Sequence, residues 1–216
     1  MIKDIPASSP LIDEKLKSEL SGIFERLEDA VTIKAIVDMS AEKGSELAGF
    51  LCVIASLSEK LTLEIYDPQE TDHPQELDMQ WLPVCGLYKN GQYSGIAFHG
   101  VPGGQEINSF VLALYNLSGP GQKLDLWTKR RIGKLKKKAN IKICVSLACH
   151  HCPKVVTAAQ QIAALNDNIE AEMIDAGLYP DLVEKYEIER VPVIIINNSQ
   201  KYLGSKSIDE LIDFVK

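Results

Sequence analysis

The 216 residues carry 23 Lys and Arg against 30 Asp and Glu, a net charge of −7 that disfavours nucleic-acid phosphates, where affinity comes from cations displacing counterions. Hydrophobic residues at 45% and charged residues at 25% are the proportions of a folded globular protein, so disorder is set aside, and the length accommodates two small domains. No stretch is long and apolar enough to span a bilayer and MIKDIPASSPLIDEKLKSEL holds no signal-peptide core, so a cytoplasmic protein with neither membrane nor nucleic acid as partner is expected.

A helix is expected over about residues 12–29 and a strand over 31–37. Ser40-Ala41-Glu42-Lys43-Gly44 follows, then a helix bearing Cys52 and a strand bearing Cys85. Asn90-Gly91 predicts a two-residue hairpin, because a type I′ turn needs positive φ at both positions. Ile107, Val111 and Leu114 face inward on a helix that Ser118-Gly119-Pro120-Gly121 breaks. A second opening helix is expected over residues 123–138; its segment KRRIGKLKKK carries seven positive charges and no acid, either a solvated face or a surface that steers an acidic partner. Residues 141–145 form a short apolar run suited to a buried strand, and CHHC follows directly. Val155, Ala159, Ile162 and Ala163 recur at helical spacing, while Ile169, Ala171 and Met173 alternate with Glu170 and Glu172 as in a half-buried strand. A short helix over 179–187 precedes a β-branched strand over 193–196, turned at Asn197-Asn198-Ser199 into a hairpin with Tyr202. Ser207-Ile208-Asp209-Glu210 reads as a capping box opening a last helix with Ile208, Leu211, Ile212 and Val215 inward.

The two halves are copies of one plan. Lys34 falls on Lys142 and Asp67 on Asp175 at an offset of 108, and Leu82-Pro83-Val84 falls on Val191-Pro192-Val193 at 109, as does Tyr93-Ser94-Gly95 on Tyr202-Leu203-Gly204. Each copy runs helix, then a βαβ unit, then a ββα unit. That is the thioredoxin order, so the expected fold is α/β: two tandem thioredoxin-like folds of mixed sheet flanked by helices, at residues 1–121 and 122–216.

Cys149-His150-His151-Cys152 occurs in the second copy alone. A dithiol that exchanges disulfides needs one sulfur exposed and partly ionised and a second close behind it. A strand-to-helix junction supplies this: Cys149 meets the free amides and positive dipole end of the helix, and Cys152 lies one turn further in and shielded. Pro153 suits a first helical turn. A protonated His150 or His151 would stabilise the thiolate and make the pair more oxidising; otherwise both are plain loop residues. By analogy with the fold, Val191-Pro192 is expected to be cis and to abut the dithiol. Zinc is the rival use of the cysteines, but a structural site draws on two separated ligand pairs; no second CxxC or HxxxH exists, and His73 and His99 belong to the other copy. With no cysteines at 40–44 the first copy runs no dithiol chemistry, and Cys52, Cys85 and Cys144 read as small core residues.

A cysteine-free thioredoxin fold joined to an active one, with Ser146-Leu147-Ala148-Cys149-His150-His151-Cys152-Pro153, Val191-Pro192-Val193, and Pro102-Gly103-Gly104-Gln105-Glu106 ahead of Phe110-Val111-Leu112-Ala113-Leu114, resembles the N-terminal domain of the alkyl hydroperoxide reductase flavoprotein. The resemblance implies that Cys149 is the attacking thiol and Cys152 the resolving one, within a redox-active Cys149–Cys152 disulfide. It also implies that Glu106, from the silent copy, lies beside the dithiol; on its own this residue reads as a glutamate in the first turn of a helix. In that family electrons pass from a nicotinamide through a flavin to this domain and on to a peroxiredoxin. No GxGxxG follows a strand here, so FAD and NAD(P)H are expected on a thioredoxin-reductase-like flavoprotein partner or a missing domain, with none bound by this chain. Alternatives are a tandem-fold protein disulfide oxidoreductase or isomerase, a glutaredoxin-like protein acting on client disulfides, and a binding module whose dithiol only senses redox state.

Overall fold

The computed structural model describes Ile2 and residues 5–216; Met1, Lys3 and Asp4, at the head of the expected first fold, lie outside the described residues. The first half contains α1 (Glu14–Phe24), β1 (Val31–Ile36), α2 (Glu42–Ser56), β2 (Leu61–Tyr66), β3 (Val84–Lys89), β4 (Gln92–His99), a single 3-10 turn (Gly104–Glu106) and α3 (Ile107–Ser118). The second contains α4 (Leu126–Gly133), β5 (Ala139–Val145), α5 (Cys152–Ala163), β6 (Ile169–Asp175), α6 (Pro180–Lys185), β7 (Val193–Ile196), β8 (Gln200–Leu203) and α7 (Ile208–Phe214).

Local chemistry accounts for most boundaries. Asp13 caps α1 by accepting from the Leu16 amide at 2.7 Å, and α1 buries Leu20 and Phe24. Asn90 and Gly91 both take positive φ between β3 and β4, as a type I′ turn requires. The Ser207 capping box forms in both directions, with Ser207 N–H donating to Glu210 at 2.8 Å and Glu210 N–H to Ser207 Oγ at 3.3 Å.

Two expected helices are shorter. The one anticipated over 12–29 runs only from Glu14 to Phe24, where the Glu25 and Arg26 N–H groups turn back to the Ser21 and Ile23 carbonyls and close the last turn. The helix anticipated over 123–138 runs only from Leu126, capped by Asp125, to Gly133. Glycine is a poor helix former, and a longer helix would set Arg130, Lys134 and Lys138 one turn apart as like-charged neighbours.

The strands among the described residues form one eight-stranded sheet in the order β2-β1-β3-β4-β6-β5-β7-β8. Each half supplies the same four-strand pattern, in which the first two strands are parallel and the third and fourth antiparallel, so the duplicated plan read from the sequence is present as two thioredoxin-like folds. The halves join where β4 lies parallel to β6, from Ile96 opposite Ala171 to His99 opposite Ile174. One apolar core runs along the helix-covered face through both halves, and Phe110 of α3 packs edge-on against Phe50 and Phe98.

Because β6 ends up in the middle of the sheet, its alternation is misleading. Glu170 is exposed, but Glu172 is buried among partners from neighbouring strands. There Glu172 accepts from His99 Nε2 at 2.8 Å, Lys142 Nζ at 2.9 Å and the Asn140 side chain. His99 Nδ1 lies 2.8 Å from the Trp81 carbonyl.

Candidate active site

β5 delivers the dithiol. After Val145 the chain leaves the sheet, and the Cys149 N–H donates to the Ser146 carbonyl at 2.9 Å, closing a turn that presents Cys149. α5 begins at Cys152, with Pro153 in its first turn, where a missing N–H leaves no gap. Cys149 therefore sits three residues ahead of the helix, rather than in it, and its carbonyl accepts from the Cys152 N–H at 3.4 Å. The two cysteines are joined as a disulfide with Cα atoms 5.5 Å apart. Cys149 is half-buried and Cys152 fully buried, which is the asymmetry that exchange with an outside disulfide requires.

His150 and His151 are both exposed, and His151 caps α5 by position without a side-chain hydrogen bond. The Val191-Pro192 bond is cis, as the fold analogy anticipated, and so is Leu82-Pro83 at the corresponding place in the first half. Pro192 is buried and directly precedes β7, whose Val193 stands opposite Cys144. That register puts Pro192 at the dithiol end of the sheet, and Val191 packs against the same core as Cys149 and Cys152.

The 3-10 turn of the first half grips the loop that leads to the dithiol. The Gln105 N–H donates to the Leu147 carbonyl at 2.9 Å. Gly104 has φ +54, and a Cβ there would meet that carbonyl at 2.5 Å, so both conformation and space call for glycine. Glu106 closes this turn, at the N-cap of α3 instead of within its first turn, and is wholly buried. Burial, reinforced by the charge of Asp175 and only partly opposed by the Ser109 hydrogen bond, raises its carboxyl from an ordinary 4.5 to about 7. Its Oε1 has no hydrogen-bond partner among the described residues.

Since the folded chain holds this proton more tightly than the unfolded one, the stability associated with Glu106 is greatest at low pH. About 3 kcal/mol is lost as pH rises from 4.5 through 7. Urea unfolding at pH 5 and pH 8 reads the effect: the native chain should lose roughly 2–3 kcal/mol more than Glu106→Gln between the two. Equal losses would mean that the carboxyl ionises as readily inside the fold as outside it.

The remaining thiols are unsuited to exchange. Burial raises Cys144 to about 12 and Cys85 higher still, keeping both neutral, whereas Cys52 is half-buried on α2, less enclosed than a core residue. In the silent half, Ser40 donates through its N–H at 2.8 Å and its hydroxyl at 2.6 Å to Asp38, and Ala41 caps α2 where the second half has its dithiol loop.

Sequence reasoning missed the buried acids of the second half. Glu172 falls on the polar side of the β6 alternation and only the central place of that strand encloses it, whereas Asp175 ends β6 in step with Ile169, Ala171 and Met173 and drew no functional reading. Gln105 entered only as a member of the Pro102–Glu106 segment, and no side-chain chemistry singled it out, because its contribution is a backbone N–H.

Residues 139–216 match the thioredoxin domain family. Over 202 residues the chain is 32% identical to the alkyl hydroperoxide reductase protein AhpF of Pseudomonas aeruginosa, covering 94% of this chain and 37% of that protein. The chain thus spans little more than a third of the length of the curated relatives it matches. Among solved structures, the NTD_N/C domain of alkyl hydroperoxide reductase AhpF from Enterococcus faecalis superposes with a TM-score of 0.88 at 39% identity, over 95% of this chain and 100% of that one. A protein disulfide oxidoreductase from Aeropyrum pernix shares the fold, with a TM-score of 0.83 at 23% identity over 94% of this chain and 91% of that one. A likeness to the Enterococcus domain that leaves none of it unmatched, together with the disulfide at the head of α5, makes this chain a thiol-disulfide oxidoreductase and a member of the alkyl hydroperoxide reductase AhpF family, in the part that forms its N-terminal domain.

Proposed function

We propose that the chain carries electrons from a flavoprotein disulfide reductase of the thioredoxin-reductase type to a peroxiredoxin, in the cytoplasm and in the service of peroxide removal. The observation that carries this reading is the end-to-end likeness to the N-terminal domain of alkyl hydroperoxide reductase AhpF. The two folds at residues 1–121 and 122–216 act as one redox unit, with Cys149 and Cys152 as its working pair. In the reduced chain the Cys149 thiolate attacks a sulfur of the client disulfide, forming a mixed disulfide and releasing the client's other sulfur as a thiolate. Cys152 then attacks Cys149, which closes the internal disulfide and frees the client as a dithiol. Two electrons and two protons from the donor restore the starting state.

The other groups support this cycle. Glu106 stores a proton for the buried thiol near neutral pH, Pro192 borders the surface where the client chain lies, and His150 and His151 bias the pair toward the reduced form when charged. FAD and NAD(P)H are assigned to the partner flavoprotein or to a part of the protein outside this chain; that the relatives are far longer than the chain supports this.

The reduction potential of the Cys149/Cys152 pair, found by equilibration with a thiol buffer, tests the direction of flow. A potential near or below thioredoxin's, about −270 mV, is expected of a reductant that feeds a peroxiredoxin. One between about −180 and −120 mV belongs to isomerases and oxidants and would turn the assignment to a protein disulfide oxidoreductase acting on client proteins.

A further inference from the structure

Charge is divided unequally between the halves. Residues 1–121 hold 8 Lys and Arg against 18 Asp and Glu, and residues 122–216 hold 15 against 12, leaving net charges of −10 and +3. Seven of those 15 cations fall within residues 129–138. Arg131 is engaged, bound to Asp209 and, at 2.7 Å, to Asp213, and it stacks over Trp127 at 4.6 Å. The other six, Lys129, Arg130, Lys134, Lys136, Lys137 and Lys138, are exposed and pair with no side-chain carboxylate among the described residues. Lys136 and Lys137 reach only main-chain oxygens, of Gly133 at 3.5 Å and of Lys216 at 3.4 Å.

This cationic surface has an apolar tip. Thr128 and Ile132 turn into the core, so α4 presents Leu126, Trp127 and Arg130 outward. Leu126 is 74% and Trp127 62% exposed, more than any other large hydrophobic residue described.

Two kinds of acidic surface would attract such a face, and its composition separates them. Five of the six exposed cations are lysines, a residue depleted from protein interfaces but typical of polybasic runs beside anionic headgroups. Tryptophan, with an apolar ring and one N–H, belongs at headgroup depth. We propose that residues 126–138 are a docking surface for anionic phospholipid: Leu126 and Trp127 enter the headgroup layer, and the six cations meet its phosphates.

This is adsorption, not spanning; no helix among the described residues is long and apolar enough to cross a membrane. The sequence-based expectation of no membrane partner rested on the lack of such a segment, which an adsorbed helix does not need. α4 leads into the start of β5, whereas the dithiol follows its end, seven residues and roughly 20 Å away. A chain resting on a bilayer through α4 keeps Cys149 off the lipid, and repulsion holds the acidic first half away from it. The inference is independent of the electron-relay reading, since no step of it involves the cysteines.

The test is co-sedimentation of the 216-residue chain with vesicles of phosphatidylcholine alone and of phosphatidylcholine with about 30% phosphatidylglycerol, with tryptophan emission followed in parallel. Trp81 is buried, so a blue shift on binding reports Trp127. Binding is expected only to the anionic vesicles, with the blue shift, and it should weaken as salt shortens the Debye length. The triple variant Lys136→Gln, Lys137→Gln, Lys138→Gln should bind roughly 100-fold less tightly while its disulfide exchange in solution is unchanged. Trp127→Ala should abolish the emission shift. Failure to sediment with anionic vesicles at low salt, or undiminished binding of the triple variant, would overturn the proposal. Salt-sensitive capture by immobilised polyglutamate without vesicle binding would overturn it in favour of an acidic protein.

Discussion

Replacing Cys149 by serine should reduce disulfide exchange to the uncatalysed background, a loss on the order of a thousandfold or more, the scale set by removal of a covalent nucleophile. The reason is access. Cys149 is the half-exposed member of the pair, so a client sulfur reaches it, while Cys152 is enclosed in the core at the start of α5. Cys152→Ser should behave differently: attack still occurs, but nothing resolves the product, so one equivalent of mixed disulfide accumulates and is visible as a mass increase on a non-reducing gel. Serine is close in size to cysteine, and unchanged urea midpoints of the reduced variants would show that neither effect comes from unfolding. If Cys149→Ser trapped the client and Cys152→Ser did not, the two roles would be reversed.

The second large effect lies away from the dithiol. Glu172→Gln is expected to destabilise the chain by about 3–5 kcal/mol at pH 7, because it removes the charged acceptor of buried His99 and leaves buried Lys142 only the partly exposed Asp78, 3.8 Å away, as an acid partner. Burial alone would push the Glu172 carboxyl up, but the His99 hydrogen bond and charge, the Lys142 charge and the Asn140 hydrogen bond outweigh it and bring the group down to about 2. A carboxyl depressed in the fold contributes stability that is present above about pH 4.5 and lost as pH falls toward 2, so the native chain should unfold in acid more steeply than the variant. Exposed Glu170 is the control, and Glu170→Gln should stay within about 0.5 kcal/mol. Urea unfolding of both variants at pH 7 and pH 3 checks the pair of statements; near-equal stabilities would mean that the network stabilises nothing. His99 belongs to β4 and Glu172 to β6, so this network ties the two halves together at their shared strand pair.

The dithiol was legible because its information is local. A strand ending at Val145, two cysteines three apart and a proline suited to a first helical turn specify a strand-to-helix junction without reference to the rest of the chain. The Asn90-Gly91 hairpin and the Ser207 capping box were readable for the same reason. The length of α4 was misread because cationic residues have adequate helix propensity one at a time, and what ends the helix is Gly133 together with repulsion among them. Glu106 is a different case. Its residue type and position suggested an ordinary first-turn glutamate, and only the resemblance set it beside the dithiol.

Composition, period and turn chemistry were by themselves enough to determine two thioredoxin-like folds in tandem, the second bearing the disulfide, since a repeat is visible wherever the same local rules are applied twice. The tertiary structure alone decided that β4 pairs with β6 to make one continuous sheet. That pairing is made by backbone groups far apart in the chain, Ile96 opposite Ala171 and Phe98 opposite Met173, and edge strands advertise it through no side chain. The burial of Glu172, the enclosure of Glu106 and the exposure of Trp127 follow from it and from the packing around it, because burial belongs to a position in the assembled fold and not to a residue type.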